Sequence, residues 1–219
     1  MSKMKKKCVI VVSDFGLCDH VKEIGAIAEE KKCSMHIVNK KHPVQCDYGI
    51  HSKQVIHKPN VGREQGVYLD YIVNNYDDLP ERIYMTPSNL SKHDRKKRFE
   101  SIINGKEISC ASNGRKIKVH ENFSISEYED GPQIAAVHSP FGKWYDHIYG
   151  NWAKDKDKVK SCYNGMIGTT RELIHRHPRS FYEELSKQVN VGSAVEVGHF
   201  LERTMGKTFA AGTNINYCV

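Results

Sequence analysis

Apolar and polar residues form two alternating patterns through the first half of the chain. Four short runs predict strands, and they lie at 7–13, 34–39, 54–57 and 82–86. The first of them is continuously apolar and rich in β-branched residues, as expected for a strand covered on both faces. Between them, residues 21–31 and 62–76 have the spaced apolar positions of amphipathic helices. This alternation predicts an α/β fold with a mostly parallel central sheet flanked by helices.

The predicted topology indicates which loops can hold a ligand. Open parallel sheets bind ligands beyond the carboxyl ends of their strands, which selects the loops 13–16, 58–64 and 86–89. Asp77 and Asp78 precede the fourth strand, so we expect them at the opposite edge, on a solvated helix end.

The second half of the chain is less regular. The pattern predicts a basic helix at 93–104, a strand at 162–169, and helices at 170–175, 180–188 and 195–205. Turn signals interrupt the residues between 105 and 160. The sequence contains no internal repeat and no clear domain boundary, so we expect one domain over residues 1–219.

Composition excludes several classes of protein. Hydrophobic residues make up 39% of the 219 residues and charged residues 27%, which is typical of a globular domain and not of a disordered chain. No run of 18 apolar residues occurs, so no membrane span is expected. The 33 lysines and arginines against 26 acidic residues give a net charge of +7, which suits an anionic partner.

The seven cysteines are scattered, and none forms a C-x-x-C pair. Zinc sites usually need closely spaced cysteines or histidines, so no zinc site is expected. The start of the chain lacks the apolar core of a secretion signal. We therefore expect free thiols in a reducing compartment, and a cytoplasmic location.

The third-strand loop is the most informative of the three loops. The first loop, Ser13-Asp14-Phe15-Gly16, has neither G-x-G-x-x-G nor a P-loop, which argues against a dehydrogenase or P-loop kinase. In the third loop, Gly62 allows close approach to a helix start, where Arg63 can pair with a diphosphate. The alternative is an ordinary helix start capped by Asn60, with Arg63 solvated.

The last predicted helix offers an acid–base residue. Glu196, His199 and Arg203 are spaced by three and four residues and so share one helical face. A carboxylate there can take a proton from a hydroxyl nucleophile. The alternative is a glutamate favoured by the helix dipole, together with ordinary surface pairs.

Five segments of the chain match the motifs of one known family. They are residues 60–64, 68–80, 164–174, 176–182 and 196–203. In order and spacing they resemble a family of small GT-A glycosyltransferase-like proteins that was long labelled a domain of unknown function. The length and opening of the chain are also similar to the N-terminal glycosyltransferase domain of a chlorella-virus protein that builds capsid glycans.

The resemblance implies a GT-A fold that binds a nucleotide-sugar, with a nucleotide-binding half at about 1–105 and an acceptor-side half at about 106–219. The residues implied to contact the donor are Ser13, Asp14, Phe15, Asn60, Gly62, Arg63, Ser88 and Asn89. GT-A enzymes usually hold Mn²⁺ or Mg²⁺ with DxD carboxylates, but this chain has Thr86-Pro87-Ser88-Asn89 there. We expect either weak metal binding by Ser88, Asn89 or His199, assisted by the diphosphate, or cations such as Arg63 in place of the metal.

The same resemblance implies roles on the acceptor side. Glu196, ahead of Glu202, would be the base for the acceptor hydroxyl if the enzyme inverts. The acceptor would contact Asn164, Gly165, Trp144 and Tyr145, the last two as an aromatic platform for sugars.

The leading interpretation is a glycosyltransferase that moves a sugar from a nucleotide-sugar, expected to be UDP-linked, to a carbohydrate acceptor. The viral resemblance adds an expected role in capsid glycan synthesis in the host cytoplasm. One alternative is a nucleotidyltransferase on a similar sheet. Another is a basic nucleic-acid-binding module that uses residues 95–98 and the N-terminal lysines, although no nucleic-acid-binding motif is present and the isoelectric point, about 8.9, is modest.

Overall fold

The strands pair in an order that differs from their order along the chain. The computed structural model describes residues 7–41, 47–49, 55–92, 94–105, 109–111, 120–129, 131–155, 161–210 and 216–218. Within these ranges the strands are β1 (Cys8–Asp14), β2 (Ser34–Asn39), β3 (Val55–His57), β4 (Arg82–Pro87), β5 (Ser109–Ala111), β6 (Glu127–Tyr128), β7 (Gly131–Pro132), β8 (Ile167–Thr170) and β9 (Asn216–Cys218). Seven of them form one sheet in the order β3-β2-β1-β4-β8-β5-β9, and β6 and β7 form a separate pair.

One strand of the large sheet runs against the others. β8 is antiparallel to β4 and β5, whereas the other neighbouring pairs are parallel. The start of β8 therefore lies at the same edge as the carboxyl end of β4. The predicted α/β fold with a mostly parallel sheet is confirmed.

Helices cover both faces of the sheet. They are α1 (Cys18–Glu30), α2 (Arg63–Asn75), α3 (Arg95–Asn104), α4 (Phe141–Tyr149), α5 (Trp152–Asp155), α6 (Arg171–Ile174), α7 (Arg179–Val189) and α8 (Glu196–Ala210), with a 3₁₀ turn at Tyr76–Asp78 after α2. No helix in the described ranges is long and apolar enough to cross a membrane. The sequence did not predict α4, and the strand predicted at 162–169 begins only at Ile167, because a turn precedes it.

β1 shows why its residues form a continuous apolar run. Val9 and Val11 pack in a core cluster with α2, α4, α7 and α8, whereas Ile10 and Val12 pack in a second cluster with α1 and α3. Successive side chains of a strand point to opposite faces. A strand covered on both faces is therefore apolar at every position.

Two disulfides join pairs of cysteines that both lie in the described ranges, so the expectation of free thiols is wrong for these residues. Val9 of β1 pairs with Ser34 of β2, which places Cys8 beside Cys33 with their Cα atoms 4.8 Å apart. A second disulfide joins Cys110 of β5 to Cys162. Disulfides persist mainly in oxidising compartments. The cytoplasmic location was predicted from free thiols, so it loses that support and stays a prediction.

Candidate active site

A cavity of about 240 Å³ opens at the carboxyl edge of the sheet, beside the end of β4. Its walls come from the first turns of α2 and α3, from the β6–β7 hairpin and from one face of α8. The polar and aromatic side chains that line it are Arg63, Glu64, Gln65, Arg95, Tyr128, Glu129, His199 and Glu202. This is the edge at which open α/β sheets bind ligands.

The start of α2 is fixed by an asparagine that follows α7. Gly62 has a φ of +69°, and a Cβ there would lie 2.2 Å from Oδ1 of Asn190; a Cβ at Gly66 would lie 2.4 Å from the same atom. The amide of Asn190 also donates a hydrogen bond to Asp70 at 3.0 Å. Glycine is therefore needed at position 62 for both the backbone conformation and the close approach, and the turn directs the next three side chains to the cavity.

Lys40, the residue after β2, secures the same turn. Its buried amino group donates hydrogen bonds to the backbone carbonyls of Val61 and Arg63. Burial lowers the pKa of Lys40 to about 8, while the nearby carboxylates of Glu64 and Asp70 act to raise it. Below that pH the amine remains charged and keeps both carbonyls paired.

α8 begins with a glutamate that points into the protein and does not line the cavity. Glu196 is 2% exposed, and its carboxylate accepts hydrogen bonds from the backbone N–H groups of Ile125 (2.9 Å) and Ala136 (2.8 Å) and from the hydroxyl of Ser139 (3.1 Å). These bonds attach the segment around the β6–β7 hairpin to α8. The geometry thus gives Glu196 a structural role.

Glu202, nearly two turns further along α8, is the carboxyl group that lines the cavity. Its pKa is raised to about 7, mainly by burial and secondly by the nearby carboxylate of Glu64. Arg203, a hydrogen bond from the backbone N–H of Asn164, and Arg95 lower it in part. A carboxyl group that titrates near neutrality can take up or release a proton during a reaction.

The turn before β8 lies against both carboxylates. Asn164 and Gly165 each have a φ of +63°. A Cβ at Gly165 would lie 3.1 Å from Cγ of Glu64, so the absence of a side chain makes room for that glutamate. The hydroxyl of Tyr68 donates to the carbonyl of Gly165 at 2.8 Å. The sequence assigned Asn164 and Gly165 to the site, and the structure places both beside its carboxylates.

Two side chains that line the cavity have polar atoms without a hydrogen-bond partner among the described residues. Gln65 is 2% exposed, and neither its amide nitrogen nor its amide oxygen is paired. The Nε of Arg95 is also unpaired, although its Nη1 donates to the backbone carbonyl of Asn89 at 3.2 Å. A buried unpaired polar group costs about 1–3 kcal/mol, so a hydrogen bond from a ligand to these atoms would be favourable.

An exposed aromatic ring lies at the mouth of the cavity. Tyr128 is 45% exposed and contacts the ring of His199, with centroids 4.8 Å apart. The guanidinium of Arg63 lies 5.9 Å from the centroid of Tyr128, and its Nε donates to the carbonyl of Ser193 at 3.1 Å. Tyr128 therefore offers a fixed ring on which a sugar can stack.

The expected donor-binding residues separate into two groups. Arg63 lines the cavity, and Gly62 begins the turn that presents it. Ser13, Phe15 and Asn60 do not line the cavity, although Phe15 is exposed beyond the end of β1.

Asp14 is buried in a hydrogen-bond network of its own. Its carboxylate accepts hydrogen bonds from the N–H of Leu17 (2.9 Å), the amide of Asn39 (2.6 Å) and the hydroxyl of Tyr48 (2.7 Å). These bonds hold the ends of β1 and β2 together. Asp14 is thus placed to organise this edge of the sheet.

The residues expected to hold a metal do not form a site. Ser88 is buried, Asn89 accepts a hydrogen bond from Ser91 at Oδ1 (3.0 Å), and only His199 lines the cavity. Among the described residues, no three histidine, cysteine, aspartate or glutamate side chains are grouped so that they could hold a metal ion. The expected set of Ser88, Asn89 and His199 therefore lacks the one or two carboxylates through which proteins usually bind Mg²⁺ beside substrate phosphates.

The predicted aromatic platform is wrong, because its residues lie in the core. Trp144 and Tyr145 of α4 are 0% exposed. The indole of Trp144 donates to Gln188 at 2.9 Å, and the hydroxyl of Tyr145 donates to Asp155 at 2.8 Å. Neither presents a ring face to a sugar.

Sequence reasoning missed Glu64, Gln65, Arg95 and Tyr128 and ranked Glu202 second. Glu64 and Gln65 could have been found from their place in the first turn of a helix that follows a strand. The signal for Arg95 was its place after the fourth strand, but it lay within a basic run that is typical of a solvated helix.

Comparisons with known proteins give distant structural neighbours. One is described as a nucleotide-diphospho-sugar transferase from Desulfovibrio desulfuricans G20; the match covers 98% of this chain and 80% of that chain, at 9% identity and a TM-score of 0.37. Another is galactosyltransferase LgtC in complex with donor and acceptor sugar analogues, with 96% and 72% covered, 8% identity and a TM-score of 0.35. No protein-family model and no curated protein matches the sequence.

Proposed function

We propose that this chain is a glycosyltransferase that moves a sugar from a nucleotide-sugar to a hydroxyl of a carbohydrate acceptor. The supporting observation is that Glu202, with a pKa of about 7, shares one cavity with the guanidinium groups of Arg63 and Arg95. Transfer from a sugar diphosphate needs both a proton acceptor and positive charge near the leaving group.

In the proposed reaction, the acceptor oxygen attacks the anomeric carbon of the donor sugar. A new glycosidic C–O bond forms while the bond between that carbon and the diphosphate oxygen breaks. The electron pair of the broken bond leaves with the diphosphate, and the acceptor proton passes to Glu202. Glu202 takes this role in place of Glu196, because the carboxylate of Glu196 has three other donors and does not line the cavity.

The donor and acceptor occupy different walls of the cavity in this proposal. The diphosphate lies toward Arg63 and Arg95, each in the first turn of a helix, where unpaired backbone N–H groups also favour anions. The acceptor lies toward Glu202, Asn164 and the exposed ring of Tyr128. A UDP-linked donor and a role in capsid glycan synthesis remain predictions of the sequence resemblance.

The basic nucleic-acid-binding module is less well supported. Arg95 lines the cavity and Lys96 pairs with Glu23 at 3.3 Å, so two of the four basic residues at 95–98 have other contacts. Lys3, Lys5 and Lys6 lie outside the described residues.

A panel of ligands in a thermal-shift assay tests the proposal. UDP, GDP and their sugars should raise Tm, because a ligand at about 100 times its Kd adds about 2.7 kcal/mol to the free energy of unfolding. ATP and CTP serve as controls, since a larger shift with a nucleoside triphosphate would favour a nucleotidyltransferase. No shift with any nucleoside diphosphate or nucleotide-sugar would refute the proposed function.

A further inference from the structure

The end of β4, where the resemblance implies a metal ion, carries no carboxylate among residues 86–89. The Thr86 hydroxyl donates to the carbonyl of Pro87 at 2.9 Å, and the amide oxygen of Asn89 accepts from Ser91 at 3.0 Å. Ser88 is 2% exposed, and its backbone N–H donates to Ser13 at 2.8 Å. These are neutral oxygens, which bind hard cations weakly compared with carboxylates.

A permanent cation lies beside this strand end instead. Arg95 is the first residue of α3, and its Nη1 donates to the carbonyl of Asn89, which holds the guanidinium near the strand end. The same side chain lines the cavity, and its buried Nε–H has no hydrogen-bond acceptor among the described residues. A guanidinium in this position offers fixed, forked donors to phosphate oxygens.

A second, independent group near Arg95 also lacks a partner. Gln65 lines the cavity, is more than nine-tenths buried, and has an unpaired amide nitrogen and amide oxygen in the described structure. A diphosphate supplies acceptor oxygens for the amide N–H of Gln65 and the Nε–H of Arg95. Hydroxyl groups of a nucleotide-sugar can donate to the amide oxygen of Gln65.

We infer that Arg95, together with Arg63, holds the diphosphate of the donor in the place where related enzymes use a divalent cation. This inference rests on the proposed function and assigns its leaving-group site. When the bond to the anomeric carbon breaks, the new negative charge on the diphosphate oxygen is met by the two guanidinium groups. Gln65 positions the diphosphate through its amide.

Isothermal titration of the full chain with UDP and with inorganic pyrophosphate tests this assignment, first in EDTA and then in Mn²⁺. We expect Kd values that agree within about threefold in the two conditions. The Arg95→Ala variant should bind both probes at least tenfold more weakly, since a charged hydrogen-bond partner is lost. Arg95→Gln is a second variant that keeps the size of the side chain, and it should weaken binding in the same way.

Lys97→Ala is the matched control, because it removes the same charge from an exposed position on α3 that does not line the cavity. Its affinity should stay within twofold of the parent affinity. A gain of tenfold or more with Mn²⁺, or an unchanged affinity in both Arg95 variants, would overturn the inference while leaving a transferase possible. If neither UDP nor GDP nor any of their sugars binds in either condition, the proposed function itself fails.

Discussion

The two edges of the sheet carry polar clusters that are built in opposite ways. At the amino edge of β4, the opposite-edge cluster consists of Tyr76, Asp77, Leu79, Arg171, His175, His177 and Arg179. There Arg179 pairs with Asp77 at 2.9 Å, and Arg171 donates to the carbonyl of Leu79 at 3.0 Å. In the cavity, two carboxylates lie near one another, the pKa of Glu202 is raised, and the amide of Gln65 is unpaired.

This difference separates residues that stabilise the fold from residues that are available to a ligand. An ion pair and hydrogen bonds to backbone carbonyls connect residues of the opposite-edge cluster, although the Nε of Arg179 has no partner among the described residues. Asp77 and Asp78 are exposed there, as the sequence predicted. Like charges and unpaired groups in the cavity lower the free energy of unfolding unless a ligand supplies their hydrogen-bond partners or an opposite charge. Both clusters contain residues of the five segments that resemble the glycosyltransferase-like family. Membership of one of these segments therefore does not by itself indicate a catalytic role.

The largest expected effect is on turnover, from Glu202→Gln in the cavity. Removing a positioned general base should lower kcat by about 10²–10⁴-fold. Donor Kd should change little, because the amide keeps the size of the side chain. A transfer assay together with titration of UDP measures both quantities. Turnover within threefold of the parent would show that Glu202 is not the general base. Arg179→Ala, at the opposite edge of the sheet, is the control and should keep the turnover of the parent.

The next largest effect is expected on stability, from removal of the disulfide next to the turn at Asn164 and Gly165. Cys162 lies two residues before Asn164, so the link to Cys110 anchors the segment that donates to Glu202. The Cys110→Ala/Cys162→Ala variant should lose about 2–5 kcal/mol of unfolding free energy, seen as a Tm lower by roughly 5–15 °C. Turnover should also fall, because the turn becomes less constrained. An unchanged melting curve would show that the two thiols are not joined in the folded protein.

A smaller effect is expected in the pH dependence of stability. The pKa of Glu202 is about 7 in the folded protein, above its ordinary value of 4.5. The folded state therefore binds this proton more tightly than the unfolded chain, and the free energy of unfolding should fall by about 1–3 kcal/mol as pH rises from 4.5 to 7. Denaturant titrations should show this fall in the parent and a flatter profile in Glu202→Gln. Equal profiles would contradict the raised pKa.

The smallest effect is expected at the opposite-edge cluster. The hydroxyl of Tyr76 donates to the carbonyl of His177 at 2.5 Å. Tyr76→Phe removes this bond and should lower the unfolding free energy by about 1 kcal/mol, with no change in kcat or donor Kd. Chemical denaturation and the transfer assay check the two parts. A kinetic effect larger than threefold would mean that the two edges are coupled.

Local patterns predicted the elements better than the contacts between them. The run from Val9 to Val12 identified β1, because a strand that is buried on both faces is apolar at successive positions. Glu196 and Glu202 occupy the same helix, but only Glu202 lines the cavity, because the carboxylate of Glu196 is bound by distant partners at Ile125 and Ala136. Local pattern cannot show which turn of a helix faces a cavity.

The cysteines and aromatic residues also show that local sequence patterns do not predict contacts between distant elements. The pairing of Cys8 with Cys33 follows from the register between β1 and β2, which the sequence alone did not specify. Trp144 was placed at the surface because its helix was not predicted, whereas it packs against Phe141 and Phe200 in the core. Contacts between residues that are distant in the sequence therefore determine which side chains line the cavity.

The antiparallel placement of β8 beside β4 has a consequence for how the chain is synthesised. About 80 residues separate the end of β4 from the start of β8, which corresponds to roughly 4–16 s of translation. During that interval one edge of β4 presents unpaired N–H and C=O groups that can pair with another chain. We therefore expect nascent or truncated chains that end before residue 167 to self-associate, and slower translation to lengthen their exposure to chaperones.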